Sequence, residues 1–406
     1  AWSECISDPR FWSLLLSIVA KRRKIIGATG SIMGVRTAPW TASNLPFRPG
    51  GTEQSNSSAF FGDSLFLKLY RKLTDGINPE VEILGALAQR RAAARVAPLR
   101  GGIEYRGKDG LRSSLAILLR ALPGAADAWS WGLEAFARFD RDGGRRLRSA
   151  VSAAFALLGK RTAELHLSLA SLPGRSFSPV PFTSRDLDFL RNSISRGLRT
   201  LALNQKLSEP SPWERHSCLP RLLKDLYEDR GRDPGQPSPW ERRLACPERS
   251  RRAAIPEWGM KIRGHGAYHL GQVLRRRGDF VIIDFEGEPD RSPEERRARQ
   301  SPLKDVAGML RSFHYAASAH YLVGKGRMTR AEGERADLWA QIAGEIFLSA
   351  YLRRMGKNSP LLPPDPAALA ALLRAFTVEK ALYELSYELN HRPAWSAIPL
   401  RALAAL

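Results

Sequence analysis

The sequence predicts an α+β fold of two lobes, a small β-rich one followed by a large helical one. Three observations predict it. Residues Ser58 to Leu69 alternate about Gly62-Asp63 in the manner of a β-hairpin. Up to about residue 120 the elements run strand, strand, helix, strand, strand. Beyond Ala126 the pattern is helical to the end, broken by one hairpin near 273–285.

Taken in order, residues 1–50 read as a helix, a glycine-rich turn region from Gly27 to Gly34 and a proline-bearing linker. They are expected to be the remnant of an N-terminal cap domain. The apolar run Phe11 to Ala20 is about half the length needed to cross a bilayer, and its basic cluster Lys21 to Lys24 follows it rather than leading it. It is read as a packed amphipathic helix.

Residues 51–125 form the expected small lobe. Its helix opens at Asn78-Pro79-Glu80, with an N-cap, a proline in the first turn and acids at the positive dipole end. Extended stretches follow near 103–106 and 112–119. Residues 126–406 form the expected helical lobe. Within it, Pro-Ser-Pro-Trp-Glu-Arg stands at 210–215 and again at 237–242 in a Pro- and Arg-rich stretch. Two copies are too few for a solenoid, and 208–258 is expected to be a disordered insertion.

Composition narrows the function classes. A hydrophobic fraction of 43% with 26% charged residues suits a chain with packed cores. Cys5, Cys218 and Cys246 are odd in number and form no C-x-x-C pair, which argues against a disulfide framework or zinc site and for a reducing cytoplasm. The net charge of +22 is scattered in small groups such as Arg275 to Arg277, without interleaved aromatic platforms. Neither nucleic acid nor membrane is expected as a partner.

The chemistry concentrates between 263 and 289. Phe280 to Ile283 reads as a buried strand that delivers Asp284 at its end, and Gln272 lies just before the partner strand. An amide oxygen and a carboxylate converging there suit Mg²⁺, which takes few protein oxygens and leaves room for phosphate. Upstream, the small polar run Glu53 to Ser58 could hold phosphates with hydroxyls and backbone N–H groups at a hairpin tip. Lys68, on an alternating strand, could point inward to a phosphate. Near the C-terminus, Glu384 and Glu388 share one helix face, as do Tyr383 and Tyr387.

The segments His265-Gly266-Ala267-Tyr268-His269-Leu270-Gly271-Gln272 and Asp284-Phe285-Glu286-Gly287-Glu288-Pro289 resemble the maltokinases, within the aminoglycoside-phosphotransferase and protein-kinase-like superfamily. So do the run from Gln300 to Phe313, Asp127-Ala128-Trp129, and the helix from Glu379 to Trp395. The resemblance implies a protein-kinase-like fold with nucleotide between the lobes. It implies ATP and Mg²⁺ as cofactors, with Ser55, Asn56, Ser57, Ser58 and Lys68 on the nucleotide. Glu82 would be the helix partner of Lys68, with Glu80 the alternative. Gln272 and Asp284 would hold the metal. Tyr383, Glu384, Tyr387, Glu388 and Arg392 would meet the sugar, though Ser386 replaces a common family arginine. His166, on a helix resembling one of the family's, reads as a satisfied core residue.

By the same resemblance the reaction is ATP-dependent phosphorylation of maltose to maltose 1-phosphate in glycogen synthesis, in the cytoplasm. Trehalose synthase, fused or associated, is the implied partner. His265 and Ala267 mark the catalytic loop, yet Ala267 stands where the family places its aspartate base. An alanine accepts no proton, so turnover is expected to be severely reduced. The alternative is a catalytically dead module that binds nucleotide or maltose and supports a trehalose synthase.

Overall fold

The structure, a computed structural model, describes residues 2–41, 45–50, 56–90, 95–144, 147–203, 257–288 and 291–404. The repeat-bearing stretch 208–258 lies outside them save for its last two residues, as does Ser55.

A seven-stranded antiparallel sheet forms the small lobe. Its strands are β1 (Lys24–Ile26), β2 (Gly30–Arg36), β3 (Phe47–Pro49), β4 (Asn56–Phe61), β5 (Leu65–Tyr70), β6 (Leu99–Gly107) and β7 (Arg112–Arg120), in spatial order β1-β2-β6-β7-β5-β4-β3. The expected hairpin is β4–β5, closing with Phe61 opposite Leu65. The boundary expected at residue 50 is crossed by this sheet. β2 pairs with β6 from Gly30↔Gly107 to Arg36↔Gly101, and β3 pairs with β4.

Helices cover both faces, which is why β7 is apolar at successive positions. Ala116 and Leu118 pack with Trp12, Leu16 and Val19 of α2 (Pro9–Ala20), after a short α1 (Trp2–Ser7). Ile117 and Leu119 join Ile83, Leu84 and Leu87 of α3 (Pro79–Gln89) on the other side. The same alternation sorts β5. Leu65 and Leu67 face α2, so Lys68 and Tyr70 emerge on the α3 side. Asn78 caps α3 by accepting the Glu80 N–H at 2.9 Å.

β8 (Ala126–Asp127) leads into the large lobe, and Asp127 caps α4 (Ala128–Arg141). α5 (Ser149–Ala170) follows, then β9 (Val180–Pro181) and α6 (Ser184–Leu203). After β10 (Met260–Lys261) comes the loop 262–269 and a single 3₁₀ turn, Leu270–Gln272. β11 (Val273–Arg276) and β12 (Asp279–Ile282) form the expected second hairpin, with β8 beside β11. α7 (Pro293–Arg297), α8 (Leu303–Lys325), α9 (Arg330–Met355), α10 (Pro366–His391) and α11 (Ala397–Ala404) complete the chain. No described helix is long and apolar enough to cross a membrane.

Candidate active site

The two lobes meet at Lys68. Its ammonium, 4% exposed, donates to Asp284 Oδ1 at 2.7 Å and to Glu80 Oε2 at 3.2 Å, and it also pairs with Glu286. β5 supplies the lysine, α3 supplies Glu80, and the turn after β12 supplies both other acids. Burial disfavours the lysine's charge, but the three carboxylates hold its pKa well above the usual value. Burial pushes Glu80 up to about 7, against the pull of Lys68. Asp284 is desolvated too, yet Lys68 keeps it below the ordinary carboxylate range.

Glu80 is therefore the helix partner of Lys68, and the expectation of Glu82 is corrected. Glu82 turns away and accepts from Arg263 at 3.0 Å. The two acids sit two residues apart in one helical turn and point to different sides. Tyr70, also on β5, adds a hydroxyl hydrogen bond to Glu80 at 3.2 Å.

Asp284 adopts a left-handed backbone conformation, φ 64°, which non-glycine residues seldom take. That geometry ends the strand and turns the carboxylate toward Lys68 and the Gln272 side chain, with which it also bonds. Two oxygen-bearing side chains expected to serve a divalent cation are thus adjacent. Their chemistry fits Mg²⁺, and Glu80, Asp284 and Glu286 bring oxygens within 4.8 Å of one another.

The segment expected to form the catalytic loop is held from beneath by Asp305, in the first turn of α8. Its carboxylate accepts the backbone N–H of His265 at 2.7 Å and of Gly266 at 3.0 Å. His166 Nε2 sits 3.2 Å from the same carboxylate, and its Nδ1 is 2.9 Å from the Tyr351 hydroxyl. His166 is a satisfied core residue, as expected, but one that braces the anchor of the loop. Gly266 takes φ 87°, and α8 approaches so closely that a Cβ at Gly308 would lie 2.6 Å from the Tyr268 carbonyl oxygen. His265 donates from Nε2 to the Ile283 carbonyl at 2.8 Å, leaving Nδ1 to accept the Ala267 N–H at 3.4 Å. Burial lowers the His265 pKa, so the ring is a neutral spacer between loop and strand.

Ala267 faces a cleft of about 380 Å³, lined also by Glu288, Lys304, Glu379, Lys380 and Tyr383. Glu288 accepts from Lys380 at 2.8 Å and from Arg291 at 3.2 Å. Burial opposes its charge, but Lys380, Lys304 and Arg291 bring its pKa down to about 2. Charged groups of both signs, ion-paired and half-buried, suit a polyhydroxylated molecule that exchanges hydrogen bonds with them.

The expected sugar-contacting helix is only partly at this cleft. Tyr383 reaches it. Glu384 instead accepts from the buried Arg311 at 2.9 Å, and Glu388, 2% exposed, is engaged by Arg392 at 2.7 and 2.9 Å and by the Tyr315 hydroxyl at 3.2 Å. Tyr387 stacks on His391, with ring centroids 4.2 Å apart. Glu384 and Glu388 tie α10 to Arg311 and Tyr315 of α8, because the i,i+4 face they share is the packed face, while Arg392 is exposed and pairs with Glu388 of its own helix. Of the nucleotide-loop residues, Asn56 and Ser58 are buried on β4, with Ser57 between them. Sequence reasoning missed Asp305, Glu286, Glu288, Lys304 and Lys380 as members of the site; the acids beside Asp284 and the Lys-Asp pair after Gln300 were the available signals.

No protein-family model matches the chain. It is 29% identical over 365 residues to a glucosamine kinase of Mycolicibacterium smegmatis, an alignment taking in 88% of this chain and 79% of that protein. A glucosamine kinase of Streptacidiphilus jiangxiensis is 26% identical over 363 residues, 87% of this chain and 72% of that one. These relatives are sugar kinases. A solved glucosamine kinase in complex with glucosamine, ADP and inorganic phosphate matches with a TM-score of 0.67 at 21% identity, over 97% of this chain and 82% of that one. A second crystal form gives 0.68. The expected two-lobed kinase-like fold is the fold found. The relatives' names agree with the expectation of a sugar kinase and do not speak to maltose as its acceptor.

Proposed function

We propose that this chain is a nucleotide-binding sugar kinase whose phosphoryl transfer is curtailed at Ala267. The single observation that carries the reading is the 2.7 Å contact of Lys68 with Asp284 across the lobes, beside the loop that holds Ala267. An inward lysine next to a metal-type aspartate is the arrangement that neutralises nucleotide phosphates.

Lys68 would meet phosphate oxygens from the small lobe. Asp284 and Gln272 would hold Mg²⁺, which when bound supplies charge neutralisation on the transferring group. A sugar hydroxyl in the cleft would attack the terminal phosphorus as the bond to the bridging oxygen breaks and ADP leaves. The hydroxyl proton has no carboxylate at residue 267 to accept it, and the methyl group there cannot orient the attacking oxygen. Loss of a general base costs roughly 10²–10⁴-fold.

The names of the relatives make glucosamine the first acceptor to test. Maltose is the second, supported by the resemblance of the C-terminal helix, although Glu384 and Glu388 are committed to ion pairs. The test compares ADP release by this chain and by Ala267→Asp, with each sugar. Ala267→Asp is expected to raise sugar-dependent release by about two orders of magnitude or more. A folded, ATP-binding Ala267→Asp protein inert on both sugars would overturn the reading.

A further inference from the structure

We infer that Glu286 is a positioning residue, a carboxylate strut by which the large lobe sets the nucleotide-facing side chains of the small lobe. The inference rests on the nucleotide-binding reading above. Glu286 belongs to the large lobe, two residues beyond Asp284, yet its oxygens are taken by side chains of the small lobe. Asn56, at the start of β4, donates from Nδ2 to Oε1 at 2.8 Å. Asn78, the cap of α3, donates from Nδ2 to Oε2 at 3.3 Å. Lys68 of β5 pairs with Oε1 as well. One carboxylate so ties the strand that opens the hairpin, the strand that carries the lysine and the helix that carries Glu80.

The donors are built for this role. Asn56 and Asn78 are 6% and 7% exposed, and Glu286 itself is 17% exposed on its side chain, so water competes weakly for any of the bonds. Asn78 does double duty. Its Oδ1 caps α3 through the Glu80 N–H while its Nδ2 reaches Glu286, which fixes the amide orientation. A merely charge-balancing acid would need only Lys68, which Glu80 and Asp284 already satisfy.

The experiment is a double-substitution cycle on Mg-ATP binding by the full chain, read by calorimetry, with Glu286→Ala, Asn56→Ala and the pair. Each single substitution is expected to weaken binding about tenfold, and the pair no more than the weaker single, since both remove one strut. Glu286→Gln, which keeps an acceptor oxygen for Asn56, is expected to recover part of the loss and guards against a folding artefact in the alanine variant. Additive losses, or binding in Glu286→Ala and Glu286→Gln that equals or exceeds that of the parent, would overturn the strut. The latter would mean that the carboxylate competes with phosphate for Lys68. Absence of Mg-ATP binding by the unsubstituted chain would remove the nucleotide reading, and the strut with it.

Discussion

Asp305 accepts the backbone N–H of His265 at 2.7 Å, from a helix that begins 38 residues later in the chain with Leu303. With Gly266 and His166 the same carboxylate has three donors and is fully desolvated, yet these donors keep its pKa below the usual range. Asp305→Asn keeps one acceptor oxygen and turns an amide N–H₂ toward a donor. Leaving a buried donor unsatisfied costs about 1–3 kcal/mol. The variant should unfold at correspondingly lower denaturant, and an unchanged midpoint would show that the loop is held by other means.

Lys68→Met removes the cation that, among the described residues, pairs with Glu80, Asp284 and Glu286. Without the lysine, Glu80 would lie buried beside uncompensated carboxylates and would bind a proton in the folded state at a pH where the unfolded chain has released it. A folded pKa raised above its ordinary 4.5 lowers stability as pH climbs past 4.5. The variant's deficit should therefore be larger at pH 7 than at pH 5 in paired denaturation curves. Equal deficits at both would sink this account of the cluster.

His269 gives the opposite slope. Its Nδ1 accepts the Gly271 N–H at 3.1 Å, and burial, with Lys380 nearby, lowers its pKa to about 4. Between pH 6.5 and 4 the unfolded chain takes up a proton that the folded chain refuses, so stability is lost as pH falls through that window. His269→Asn retains an acceptor for the turn without the titration. Melting temperatures of parent and variant should separate below pH 6.5, and parallel profiles would remove His269 as a cause.

Glu384 tests the division between sugar contact and scaffold. Arg311 is 1% exposed, and its two Nη groups find no acceptor among the described residues, so Nε to Glu384 is its anchoring bond. Breaking one partner of a buried pair costs about 3–5 kcal/mol. Glu384→Ala should lower the melting temperature by many degrees without sugar present. A variant of parental stability that had lost sugar binding would return Glu384 to the acceptor site.

The hairpin of β4–β5, the cap at Asn78 and the Gln272–Asp284 adjacency were legible because each is written in local pattern: alternation, a capping dipeptide, a strand ending in an acid. The partner of Lys68 was not. Glu80 and Glu82 sit in the same helical turn with the same dipole preference, and only the docking of α3 on the sheet decides which points inward. The partners of Glu384 and Glu388 were not legible for a related reason, since a shared face does not say whether it meets solvent, substrate or another helix. Asp305 was missed because its role is to bond backbone contributed by a distant loop, and the Lys304-Asp305 pair alone does not say what it meets. The break at residue 50 was misplaced because a proline-bearing linker reads alike whether it joins two sheets or two strands of one.

The sheet that runs through that break has a consequence for how the molecule can be divided. A chain started at residue 51 would lose β1, β2 and β3 together with α2. Both flanks of the remaining four strands would then be raw, β6 on one side and β4 on the other, with unpaired N–H and C=O rows. The face holding Phe61, Leu67, Ile103 and Leu118 would be stripped of Trp12, Leu16 and Val19. Such a fragment is a template for intermolecular pairing, so the shorter product would collect as insoluble aggregate.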